Sequence, residues 1–94
     1  MQPIRLVWLE AVEDKLADKH NVMRWEVEEV LANGPLYRFV EKGQRRGEDV
    51  YAALGQTDAG CYLIVYFIYK QDRRGLVLSA RDMAPRERRQ YERR

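Results

Sequence analysis

The chain contains one histidine, one cysteine and one serine, and each scarcity closes off a class of chemistry. A single cysteine, Cys61, forbids an internal disulfide; at the head of the most apolar stretch, it reads as a small buried hydrophobe. A single histidine, His20, with acids spread over helix faces, offers no donor set of the kind that binds zinc, so no metal and no cofactor are expected. Ser79 lies in an apolar stretch without the partners of a serine nucleophile. Long apolar runs are missing too. The longest, Cys61 to Tyr69, has nine residues, against the ~20 that a membrane helix needs, so no membrane partner is expected. The first five residues lack the charged-then-apolar layout of a secretory signal, which makes the cytoplasm the expected location.

What is present describes one globular domain over residues 1–94, with 46% hydrophobic and 34% charged residues. The net charge of +2 conceals an asymmetry. From Arg73 onward there are eight basic and three acidic residues, whereas the first 72 residues hold nine basic and twelve acidic ones. The basic end is all arginine, and guanidinium forks suit phosphate or acidic-protein recognition.

Ile4 to Trp8 is rich in strand formers. From Glu10 the period changes: Leu9, Val12, Leu16 and His20 share one helical face, with Glu10, Glu13, Asp14, Lys15 and Asp18 on the other. Asn21-Val22 breaks the pattern. A second helix runs from about Arg24 to Asn33, with Met23, Val27, Val30 and Leu31 as its apolar side and Gly34-Pro35 as its stop. Strands follow at Leu36–Val40, Val50–Thr57, Cys61–Tyr69 and Leu76–Ala80, separated by a charged connection, by Asp58-Ala59-Gly60 and by Lys70–Gly75. A helix carrying five arginines after Pro85 closes the chain. The order β-α-α-β-β-β-β-α predicts an α+β fold: a four- to five-stranded, mainly antiparallel sheet, an N-terminal αα-hairpin on one face and a C-terminal helix.

The central apolar strand is hydrophobic on both sides, so the face away from the hairpin needs its own cover. Only the C-terminal helix is left for it, and Met83 and Tyr91 are nearly all its apolar surface. The expectation is a groove lined by aromatics and arginines, or a face completed by a second chain. With Ala84 at the cap position, the helix is expected to be an easily displaced lid, mobile or held by a partner.

Several ordered pieces resemble one family: Lys19-His20-Asn21-Val22 before a Glu-rich helix, Arg46-Gly47-Glu48-Asp49-Val50-Tyr51, Leu54-Gly55 with Asp58-Ala59-Gly60, Leu78-Ser79-Ala80-Arg81, and Glu87-Arg88-Arg89-Gln90-Tyr91. Together they are similar to the BrnT toxins of bacterial type II toxin–antitoxin pairs. The resemblance implies a RelE-like fold, metal-independent endoribonuclease activity, RNA as substrate and a cognate antitoxin as partner. It leaves two assemblies open, a homodimer and a toxin–antitoxin heterotetramer. The chain departs from the family pattern at Leu9, Asn21, Met23 and Ala84, where Asp, Gly, and twice Ser or Thr are usual.

RNA cleavage without a metal needs a group to take the 2′-hydroxyl proton, a cation for the pentavalent phosphate and an acid for the leaving oxygen. Imidazole is the side chain whose ordinary pKa, ~6.5, lies near neutrality, so His20 is the candidate proton carrier; the competing reading is a helix-end histidine held by the helix dipole. Arg81 is the candidate phosphate clamp, leaving the last strand at the mouth of the groove. Glu87 and Tyr91, one turn apart, form a candidate proton-transfer pair, or else Glu87 pairs with an arginine and Tyr91 packs on the sheet. Lys19, Arg45, Arg46 and Arg88 are candidate RNA contacts, each with solvation as its competing reading. A non-catalytic module of the same fold, binding a protein or RNA without cleaving it, is the alternative function.

Overall fold

Most of the nine-residue apolar run becomes the middle strand of a five-stranded sheet. The structure, a computed structural model, describes residues 2–94. Its elements are β1 (Arg5–Val7), α1 (Glu10–His20), α2 (Arg24–Ala32), β2 (Leu36–Glu41), β3 (Val50–Gln56), β4 (Tyr62–Tyr69), β5 (Arg74–Asp82) and α3 (Pro85–Glu92). The sheet order is β1-β5-β4-β3-β2, with β1 parallel to β5 and every other pair antiparallel. The α+β order and the central place of β4 agree with the sequence.

Leu63, Val65 and Phe67 of β4 face the two N-terminal helices and form the main core with Leu16, Val27, Val30, Leu31, Val77 and Ala80. Gly55 permits the approach of α2, since a Cβ there would lie 3.1 Å from both Val30 and Pro35. Asn21 ends α1 in the left-handed region, with φ of 53°, and Val22 N–H bonds the Leu16 carbonyl. Asparagine tolerates this conformation, so its departure from glycine is compatible with the same helix stop. Gly34, at φ of 63°, turns the chain from α2 into β2.

The other face of β4 carries Tyr62, Ile64, Tyr66 and Ile68. There α3 lies across one end of the sheet, and Tyr91, 4% exposed, packs with Ile64, Ala52 and Leu54. Tyr91 also donates to Gln56 Oε1 at 3.3 Å, and Arg38 donates to Gln90 Oε1 at 2.7 Å. The C-terminal helix is therefore docked on this end of the sheet.

Two local expectations are corrected. Cys61 is exposed, outside β4, because it closes the β3–β4 turn: its carbonyl accepts from Thr57 N–H and its N–H donates to Thr57 Oγ1, both at 3.0 Å. β5 is longer at both ends than Leu76–Ala80, because Arg74 pairs with Arg5 of β1 and Asp82 with Leu63 of β4. Arg81 is consequently a strand residue. Among the described residues, no helix is long and apolar enough to cross a membrane.

Candidate functional site

Strand alternation decides where Arg81 points. Ala80 enters the main core, so Arg81 emerges on the α3 side, opposite Ile64 and diagonal to Tyr66. A bulge sets this phase: the register shifts between Tyr66 and Phe67, which pair with Ser79 and Val77 and leave Leu78 unpaired.

Three residues beyond Arg81 the chain turns into α3, which brings Glu87 back over the strand. Arg81 donates to Glu87 Oε1 at 2.7 Å and to Oε2 at 2.8 Å, a two-pronged ion pair, and to the Tyr66 hydroxyl at 3.2 Å. A fourth bond, of 3.1 Å, goes to the Asp82 carbonyl. Glu87 Oε1 also accepts Ala84 N–H at 2.8 Å. Ala84 has no acceptor to return the bond, so half of a capping box is made, with Pro85 at the first helical position. Met23 and Glu26 make the same half box at α2, at 2.9 Å.

The electrostatics follow from this geometry. The bonded Arg81 guanidinium, aided by Ala84 N–H, holds the Glu87 carboxyl below its ordinary range against the opposing effect of burial. Glu87 in turn raises the guanidinium pKa further above its already high value. A depressed carboxylate is a poor proton acceptor. Glu87 is thus suited to orienting Arg81, whereas the Tyr66 hydroxyl, accepting from Arg81, keeps its own proton to donate.

The sequence-derived candidates fall into separate places. Arg81 and Glu87 are brought together. Tyr91 is near them on α3, but it is buried and bonded to Gln56, with no bond to Glu87. Arg88 stacks over Tyr62, 3.8 Å from the ring centroid, beside Glu92 at 3.7 Å. His20, half-buried, and Lys19, exposed, end α1, which packs on β5 from the opposite side of the sheet. Among the described residues, no hydrogen bond or ion pair is formed by the His20 side chain. Arg45 and Arg46 are exposed in the β2–β3 connection, at the end of the sheet where β5 begins. Tyr66, Arg38 and Gln90 join the site without having been singled out. Tyr66 was findable, since it shares a β4 face with Ile64; Arg38 and Gln90 meet only through the docking of α3. Among the described residues, no three of the His, Cys, Asp and Glu side chains are grouped to share a metal ion.

A family model described as the ribonuclease toxin BrnT of type II toxin–antitoxin systems matches residues 8–87. The crystal structure of the Brucella abortus ribonuclease toxin BrnT is similar in fold, with a TM-score of 0.59 and 16% identity over 85% of this chain and 96% of that one. No curated protein matches the sequence.

Proposed function

The chain belongs to the BrnT family, the ribonuclease toxins of type II toxin–antitoxin systems, and from that premise we propose that it cuts RNA on the α3 side of the sheet, with Arg81 as the phosphate-binding group. The observation that carries this reading is the Arg81–Glu87 pair. Its guanidinium is held at a fixed point over a sheet face, with 37% of the side chain still exposed. A phosphate displaces part of the carboxylate's hold and gains the same fork, a geometry in which arginine binds oxyanions best.

In the proposed chemistry, the RNA 2′-hydroxyl attacks the adjacent phosphorus and the 5′ oxygen leaves, giving a 2′,3′-cyclic phosphate. Arg81 offsets charge on the pentavalent phosphate and the Tyr66 hydroxyl donates to a phosphate oxygen. Water takes the 2′-hydroxyl proton and returns one to the 5′ oxygen, because His20 and Lys19 end α1 across the sheet from this phosphate; Arg45, Arg46 and Arg88 are proposed backbone contacts. Tyr91 acts through packing of α3, and no metal takes part. We place this activity in the cytoplasm.

A type II toxin has a cognate antitoxin protein as its partner. Two assemblies are proposed, a homodimer and a toxin–antitoxin heterotetramer, and light scattering with and without antitoxin separates them. The activity test is purified protein with single-stranded RNA in EDTA. The expected result is cyclic-phosphate ends, lost in Arg81→Ala and retained in His20→Ala. Intact RNA beside folded protein overturns the reading in favour of the non-catalytic module.

A further inference from the structure

The α3 side of the sheet is only half covered. Past the row containing Tyr66 comes a row with no helix over it: Val50, Ile68, Leu76 and Val7 are cross-strand neighbours on four successive strands. All four are half-buried and belong to neither apolar cluster. Beyond this shelf the sheet ends in positive charge. Arg5 and Arg74 are paired across β1 and β5 and, by alternation, point to the same side as Leu76. Arg46 and Arg74 line an open groove of about 310 Å³ between the β2–β3 connection and the β4–β5 turn. Lys70 and Arg74 have acidic partners there, Glu48 at 3.5 Å and Asp72 at 2.7 Å. Among the described residues, Arg5, Arg45, Arg46 and Arg73 make no ion pair.

We propose that this shelf and its arginine border form a second RNA subsite, in which bases lie on Ile68 and Leu76 while Arg5 and Arg46 hold phosphates farther along the strand from the one at Arg81. The assignment rests on RNA being the substrate. Its support is the alternation of charge and apolar surface along one face: arginine and tyrosine at Arg81 and Tyr66, then four aliphatic side chains, then arginine again. A single strand needs that sequence of surfaces, with cations tracking its backbone and flat apolar ground for its bases. A second copy of this chain, carrying the same arginines, would match the shelf but not its border. Arg81 and Arg74 are seven residues apart on β5, which is roughly 20–24 Å at ~3.3 Å per residue. The strand bound there is on the order of four nucleotides, the low end of single-strand site sizes.

The test uses full-length protein and an uncleavable, fully 2′-O-methylated RNA carrying 4-thiouridine. Illumination is expected to crosslink it to the peptides that hold Ile68 and Leu76. In the Arg5→Ala/Arg46→Ala double variant, affinity for this RNA is expected to fall about tenfold. The salt dependence flattens by about 1.4 in log–log slope, from two phosphate contacts at ~0.7 each. A dinucleotide too short to span the face binds both proteins alike. Crosslinks confined to α1 and α2, an unchanged salt slope, or a dimer that buries the shelf and excludes RNA each overturn the subsite. If the crosslinks and slope appear as expected while cleavable RNA stays intact, the subsite stands and the proposed cleavage fails.

Discussion

Arg81 and Glu87 face each other across the β5–α3 turn through two short contacts of 2.7 and 2.8 Å, with the Glu87 side chain only 13% exposed. That pair joins the last strand to the last helix. Replacing Glu87 with glutamine keeps an acceptor for Ala84 N–H but removes the charge. We expect Glu87→Gln to lower stability by about 1–2 kcal/mol at neutral pH, the lower part of the range for bonds to charged groups because Arg81 is partly solvated. The sign of the pH dependence follows from the depressed carboxyl. The wild type keeps this contribution above the ordinary glutamate pKa, ~4.3, and loses it as pH falls through the lower folded value, whereas the variant never has it. Urea midpoints of the two proteins should converge in acid; parallel curves would show that the charge contributes nothing.

The same fork separates arginine from lysine. Arg81→Lys retains a positive charge but cannot make two parallel bonds, so it should behave nearly like Arg81→Ala, each losing on the order of 10²-fold in kcat on RNA. Tyr66→Phe removes one donor near the phosphate and should cost about tenfold. A lysine variant with wild-type kcat would show that charge alone matters at this position.

The parts legible in the sequence were those set by local rules. Helix α1 begins at Glu10 and ends where Asn21 takes a left-handed turn, and α2 stops ahead of Gly34, as periodicity and punctuation predicted. What escaped was set by partners distant in sequence. The length of β5 depends on β1, some seventy residues earlier, and the exposure of Cys61 depends on its double bond with Thr57. In the site, Arg81 and Glu87 were both visible as candidates, but their pairing was one of several readings because they are six positions apart across a strand end. The separation of His20 from Arg81 followed from placing the hairpin and α3 on opposite faces, but the chemistry of imidazole drew His20 into the site against it.

Tyr37 and Trp8 present the opposite situation from Arg81, each with a buried polar atom that has no hydrogen-bond partner among the described residues. The Tyr37 ring packs edge-on to Phe67, with centroids 6.0 Å apart, so its packing survives loss of the hydroxyl. Tyr37→Phe should therefore raise stability by about 0.5–1 kcal/mol, the penalty of an unsatisfied buried hydroxyl being removed. Burial, with the Tyr69 phenol adding to it, pushes the Tyr37 pKa up to about 12. The neutral form thus stabilises the fold below pH ~10 and that contribution is lost as pH rises toward the folded value. Alkaline unfolding curves should show the loss in the wild type and not in the variant.

Ala84 takes the backbone conformation of a helix cap, with φ of −71° and ψ of 160°, but supplies no side-chain acceptor. Glu87 already makes its half of the box with Ala84 N–H. A serine at this position needs no backbone change to accept from the Glu87 N–H, one of the N–H groups at the helix start that lack a partner inside the helix. Ala84→Ser is expected to raise stability by about 1 kcal/mol, read as a higher urea midpoint at unchanged slope. The gain should persist in the Glu87→Gln background, because the serine bonds the backbone and not the carboxylate. An unchanged midpoint in both backgrounds would mean that the sheet contacts of Tyr91, Gln90 and Glu87 alone fix α3, and that its first turn gains nothing from a cap.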